Sequence, residues 1–243
     1  MVPWRFTRRS SPTRSSLTES LDNPIWHALS TLQEAHGSRN EKAALYRRGV
    51  SPFAALGAGG SLDDLAPLAK SEQVVIFMRS ARMPVAPAAG WESLGEVPTV
   101  QMICLQPGQA EASTADELAS ADVEQMLSLT RLTDPGPFQK HTPQLGRYIG
   151  VKEQGELIAM AGERFRLPGW TEVSGVCTHP DQQGRGLAKA LVSDLVHHIT
   201  ARGGRAFLHV RRGSPSEQVA IAAYEKLGFE QHQEMIAQAF VRK

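Results

Sequence analysis

The segment from Val176 to Ala188, V-C-T-H-P-D-Q-Q-G-R-G-L-A, constrains this chain more than any other. An apolar strand over Val173 to Cys177 runs into a Thr-His-Pro turn. The loop Gln183-Gly184-Arg185-Gly186 then opens directly into an amphipathic helix beginning at Leu187-Ala188. The first amides of a helix have no intrahelical partner, and the helix dipole places partial positive charge on them. Glycines let such a backbone approach a diphosphate closely. The pattern therefore predicts an anion cradle and a phosphorylated ligand.

Three kinds of glycine loop compete for this segment. The string G-x-x-x-x-G-K-[ST] of a P-loop is absent. A dinucleotide fingerprint needs a third glycine where Lys189 stands, and an acid after the next strand. That strand, Arg205 to Val210, ends instead in Arg211-Arg212. The remaining form, [Q/R]-x-x-G-x-[G/A], is met by Gln183, Gly186 and Ala188. Downstream, Ala223-Tyr224-Glu225-Lys226-Leu227-Gly228-Phe229 closes a helix with a glycine before a strand. With this order of elements, residues 115–242 resemble the GNAT superfamily of acyl-CoA-dependent N-acyltransferases. T-E-V-S-G-V-C-T-H-P with a later F-L-H-V is similar to its glycine-acyltransferase-like branch.

The resemblance implies an α/β fold with a mixed, mainly antiparallel sheet flanked by helices, preceded by a smaller N-terminal α/β unit. It implies transfer of an acetyl group from acetyl-CoA to a primary amine by direct attack. The alternative on the same scaffold is a non-catalytic acyl-CoA-binding sensor. The acceptor, whether a small molecule or a peptide, is not legible, nor is the oligomeric state. The backbone of Val176, Cys177 and Thr178 is expected to pair with the amide arm of the cofactor like an added strand. Gln183, Gly184, Arg185, Gly186, Leu187, Ala188 and Lys189 are expected around its diphosphate.

Two residues are expected to do chemistry. Tyr224 is the candidate acid for the leaving thiolate, although Ala220, Ile221 and Leu227 share its helix face and would equally surround a core tyrosine. Glu172 stands eleven residues before Gln183, the spacing of a general base in some relatives. Desolvation beside an apolar pocket would raise its pKa into base range; ordered water is the other route for the proton. His209, in F-L-H-V, shares a strand face with Phe207 and is expected at the acceptor cleft. Cys177 closes a β-branched strand and reads as a buried, inert thiol. One position departs from the family: Glu217, seven residues before Tyr224, stands where an asparagine is common. An acid is a poor neighbour for a pyrophosphate, and Ser214 or Ser216 is expected to cap that helix.

Bulk properties narrow the rest. The formal net charge is +1 over 243 residues, which gives no argument for nucleic acid or an acidic partner. Cys104 and Cys177 are far apart in apolar stretches, so neither a disulfide framework nor a metal site is expected, and a reducing, cytoplasmic location is. His197-His198 read as solvated helix residues. No apolar run approaches the roughly 18 residues of a membrane span. Residues 1–20 form a basic stretch with Arg5, Arg8, Arg9 and Arg14, read as a disordered tail rather than a transit peptide.

Ordered structure is expected from Asn23-Pro24, with an N-terminal α/β unit over 21–110 and the acyltransferase domain over 115–243. Within the first unit, Val74 to Met78 and Val97 to Leu105 read as strands, with loops at 51–61 and 83–90. In the second, Ala115 to Arg131 reads as a helix. A hairpin over 147–164 follows, then strands at 172–177 and 205–210, helices at 187–202 and 216–227, and a closing pair of strands from Phe229.

Overall fold

A computed structural model describes residues 17–109 and 113–243. After a turn of 3-10 helix at Glu19–Asp22 come α1 (Pro24–Leu29), β1 (Gly37–Arg39), β2 (Ala43–Tyr46), β3 (Ala54–Leu56) and α2 (Leu62–Leu65). Then follow β4 (Val74–Ser80), β5 (Trp91–Cys104), β6 (Asp116–Glu117), α3 (Val123–Thr133), β7 (Tyr148–Glu153), β8 (Glu156–Leu167) and β9 (Trp170–Thr178). The chain closes with α4 (Leu187–Ala201), β10 (Arg205–Arg211), α5 (Glu217–Glu225) and β11 (Phe229–Arg242).

Eight strands form one sheet in the order β4-β11-β5-β10-β9-β8-β7-β6, antiparallel everywhere except between β9 and β10. This is the mixed, mainly antiparallel sheet with flanking helices that the resemblance implied. Strands β1 to β3 make a separate small sheet, joined to β4 by a single bridge between Phe53 and Ile76. The stretch before residue 110 thus supplies β4 and β5, and β5 lies between β11 and β10 in the middle of the large sheet.

Period-two alternation sends neighbouring side chains to opposite faces. Met102, Leu208 and Val173 face a core made with α4 and α5, where Leu191, Leu195, Val196 and Ile199 are fully or almost fully buried. Ile103, Phe207 and Trp170 face a second core covered by the N-terminal segment, which contributes Leu21, Ile25, Tyr46 and Phe53. Each helix stripe therefore covers one face, and burial of both faces holds the sheet in the middle of the molecule.

Several sequence expectations shift. Leu17 to Ser20, counted with the tail, are built into the fold: the Trp170 indole N–H donates to the Leu17 carbonyl at 2.9 Å, and Leu21 is fully buried. The rest of the basic stretch, 1–16, lies outside the described residues. The helix expected from Ala115 begins at Val123 instead. Before it, β6 pairs with β7, and the Asp122 carboxylate accepts from the Ala119 amide at 2.8 Å and from Lys152 at 2.6 Å. The closing pair of strands is one strand of 14 residues, β11, bulged between Gln231 and Gln233. The 51–61 connection contains β3, whose three residues are all buried.

Close packing makes one prediction sharp. Gly162 lies opposite Tyr148, and a Cβ there would enter the Tyr148 ring, which is itself almost fully buried. Gly162→Ala is expected to destabilise the protein by about 1–3 kcal/mol through overpacking, read from urea unfolding.

Candidate active site

The site begins where two parallel strands part. β9 and β10 pair only at Trp170–Arg205, Thr171–Ala206 and Glu172–Phe207. Beyond that, residues 174–178 of β9 stay with β8, while 208–211 of β10 stay with β5. A bulge reinforces the separation. The register between β8 and β9 slips between Met160 and Gly162, and Gly175 sits there at φ +62°, a conformation that favours glycine. The result is a fork through the sheet with backbone groups of β9 left facing the gap.

On the α4–α5 side, the fork opens into a cleft of about 570 Å³. Val176, Cys177 and Thr178 line it from β9, and Gln183, Gly184, Arg185, Gly186, Leu187, Ala188 and Lys189 line it from the loop and first turn of α4. Tyr224 lines it from α5. The sequence-selected residues of the loop, the strand and the tyrosine thus border one space. Gly184 and Gly186 both adopt φ +78°, and an added Cβ at either would meet nothing within 4 Å. Backbone angle, not crowding, requires glycine at these two positions, and the loop faces open space. The Thr178 hydroxyl oxygen is buried without a hydrogen-bond partner among the described residues.

Arg185, expected at a phosphate, is held by the Glu153 carboxylate at 2.6 Å and by the Gln182 side chain. Glu217 is neutralised rather than facing the cleft as a bare acid. It pairs with Arg212 at 2.8 Å and accepts from the Gly213 amide at 2.7 Å. That carboxylate secures the turn before α5. The serines expected to cap this helix do not: the Ser214 hydroxyl donates to the Arg211 carbonyl, and Ser216 makes no side-chain cap.

A smaller pocket of about 90 Å³ runs into the fork from the cleft and shares Pro135, Val176, His209 and Tyr224 with it. Arg164 and Glu172 also line it. The Arg164 Nε and Nη2 donate to Glu172 Oε2 and Oε1, each at 2.7 Å, and His209 Nδ1 lies 2.7 Å from Oε1. Arg164 packs against the rings of Phe53 and Phe165, at 4.7 and 4.6 Å from their centroids. His209 packs edge-to-face on Phe207 at 5.8 Å, as their shared strand face predicted.

These contacts overturn the expected pKa of Glu172. Burial does push the carboxyl up, but the Arg164 charge and the hydrogen bonds from Arg164 and His209 together outweigh it, lowering it to about 2. Glu172 is therefore held as a carboxylate by its partners. Tyr224 behaves differently. Burial pushes its phenol up to about 12, and its hydroxyl makes no hydrogen bond to a described residue. The Cys177 thiol is pushed up to about 11, mainly by burial, in keeping with an inert cysteine.

Sequence reasoning did not find Arg164 or Gln101. Both stand as polar residues inside apolar runs, A-M-A-G-E-R-F and T-V-Q-M-I-C, and that interruption was the available signal.

Comparison with known proteins agrees with this geometry. The family model described as FR47-like protein matches residues 148–237. A solved structure from Novosphingobium aromaticivorans, described as a candidate acetyltransferase of the GNAT family, is 32% identical. The match covers 92% of this chain and 98% of that one, with a TM-score of 0.84. At that identity and coverage, this chain belongs to the GNAT family of acyltransferases. A GCN5-related N-acetyltransferase from Kribbella flavida shares the fold at 17% identity, TM-score 0.54, over 93% of each chain. A GCN5-related N-acetyltransferase-like protein from Streptococcus suis does so at 16% identity, TM-score 0.52, over 90% of this chain and 93% of its own. No curated protein sequence matches.

The Glu172 pair has a thermodynamic signature. Its carboxyl falls from 4.5 to about 2 on folding, so its contribution is fully present above pH 4.5 and is lost as pH falls toward 2. Glu172→Gln leaves Arg164 buried without its counter-charge and is expected to cost about 3–5 kcal/mol at pH 7. Urea unfolding at successive pH values should show the gap to the unaltered protein narrowing below pH 4.5.

Proposed function

We propose that the chain is an N-acetyltransferase that moves an acetyl group from acetyl-CoA to a primary amine. The observation that carries this reading is the single cleft bordered by the Gln183–Lys189 loop, the β9 segment from Val176 to Thr178 and Tyr224. The loop would take the diphosphate on the amides opening α4. The β9 backbone and the orphan Thr178 hydroxyl suit the amides of a pantetheine arm. Arg185 would meet a phosphate by exchanging its Glu153 contact. The strings T-E-V-S-G-V-C-T-H-P and F-L-H-V support placement near the glycine-acyltransferase-like branch.

In the reaction the amine nitrogen bonds to the acyl carbon and gives up one N–H proton. The carbon–sulfur bond breaks, and the sulfur takes a proton from a donor that the released proton replenishes through water. Tyr224 is the proposed donor to that sulfur. Its raised pKa keeps the phenol protonated, the form that can donate, and the same desolvation would raise the pKa of the thiol it serves. Glu172, at the fork, is the proposed acceptor of a hydrogen bond from the incoming amine. A carboxyl held at about 2 retains a proton poorly, so the ammonium proton leaves to water.

The acceptor would reach the fork beside His209 through the small pocket that joins the cleft. We assign the 21–110 segment to covering the fork from behind, since Leu21, Ile25 and Phe53 pack over the face opposite α4 and α5. Cys104 and Cys177 are both free and buried, which supports a reducing, cytoplasmic setting. No helix among the described residues is long and apolar enough to cross a membrane.

Two measurements test this reading. Gly186→Val forces a β-branched residue into φ +78° and is expected to weaken acetyl-CoA binding at least about tenfold in calorimetry. Tyr224→Phe keeps the ring but removes the proton. Turnover should fall about 10²–10⁴-fold while acetyl-CoA affinity stays within about a few-fold. Unchanged turnover with a known acceptor would remove Tyr224 from the mechanism. Tight acetyl-CoA binding with no turnover across a broad amine panel would favour the sensor.

A further inference from the structure

The carboxylate at the fork is the visible end of a buried polar chain that runs across β10 and β5 to the N-terminal segment. His209 and Gln101 are cross-strand neighbours on β10 and β5. The Gln101 side-chain nitrogen lies 3.1 Å from His209 Nε2 and 3.0 Å from the Leu21 carbonyl oxygen. The Gln233 amide nitrogen donates to the Gln101 side-chain oxygen at 3.1 Å. Gln101 and Leu21 are fully buried, and the His209 side chain is 4% exposed.

These contacts leave little freedom in where the protons sit. An amide nitrogen can only donate, so in a nitrogen–nitrogen contact the imidazole nitrogen must accept. Turning the Gln101 amide over would set its oxygen against the Leu21 carbonyl oxygen, acceptor against acceptor, out of reach of water. Both Gln101 N–H groups are therefore committed, one to Leu21 and one to His209 Nε2. Nε2 carries no proton, and the ring proton sits on Nδ1, aimed at Glu172 Oε1 at 2.7 Å.

We propose that Gln101 is a positioning residue for acyl transfer: it fixes the tautomer of His209, and through it the Glu172 carboxylate, at the fork. The proposal rests on the acetyltransferase reading and deepens it. With both ring nitrogens engaged inside the network, His209 has no lone pair to offer an acceptor amine and does not act as its base. Its task is to hold one carboxylate oxygen while Arg164 holds both. The Leu21 carbonyl is the far anchor of this chain, so the segment before α1 sets the geometry of the site without touching substrate.

The ring proton is read by long-range 1H–15N NMR on protein labelled at histidine, with the His209 signals identified by their loss in His209→Gln. The expected result is a protonated Nδ1 and an unprotonated Nε2 in the unaltered protein. A proton on Nε2 would overturn the proposal before any variant is made. Gln101→Leu removes the donor and should abolish the single-tautomer signature. It should lower kcat/KM for the amine about ten- to a hundredfold by letting the carboxylate shift, with acetyl-CoA affinity unchanged. Gln101→Glu keeps the volume but puts an acceptor at Nε2, and should draw a proton there with a similar loss. Full transfer rates in either folded variant would also overturn the proposal. Absence of any acetyl transfer by the unaltered protein would instead sink the functional reading, while the proton assignment is decided by the spectra alone.

Discussion

The Arg164–Glu172 ion pair stands where β9 and β10 separate, and the site is arranged around it. Opening a sheet exposes polar backbone and interrupts the ladder that holds adjacent strands together. At this fork a bidentate pair of 2.7 Å contacts ties β8 to β9, and the His209 contact ties β9 to β10 just where their pairing ends. Two buried charges tolerate such a place only when each is paired and hydrogen-bonded. Here the guanidinium also packs against two aromatic rings, which adds cation–π attraction to the pair.

The fork connects two environments that the rest of the fold keeps apart. One face of the sheet is covered by α4 and α5, which carry the glycine loop and Tyr224. The other is covered by the N-terminal segment and carries Glu172, His209 and Gln101 among large apolar side chains. Alternation along β9 and β10 sends Glu172 and His209 to the N-terminal face, and Val173 and Leu208 to the helical one. A pocket through the fork therefore has a polar, fixed-charge end and an open end beneath the loop. Burial pushes both groups up, with opposite outcomes. It raises Tyr224, which has no charged partner, and fails to raise Glu172, which has two partners.

The sequence by itself determined the loop and the elements around it. Glycines at 184 and 186 are needed for a positive φ at the start of a helix, and that local requirement is readable without the rest of the chain. The hairpin of β7 and β8, the helix α4 and the strand β10 were legible for the same reason, since their periodicity and turn residues are local signals. Membership of the family followed from the order of those elements, and Tyr224 from its place in the closing motif.

Only the tertiary structure decided the rest. That β5 would lie between β10 and β11, and that residues 17–21 would seal one face, depends on contacts between segments about 80 to 150 residues apart, as from Leu21 to Gln101 and Leu17 to Trp170. No periodicity encodes such pairings. The character of Glu172 is the clearest case. The residue borders a pocket beside the cleft, but its charge state depends on Arg164 across a bulged strand pair and on His209 two elements later. A pKa is set by the groups that surround a side chain in space. The sequence named the carboxylate, and the packing of β8, β9 and β10 decided that it stays ionised.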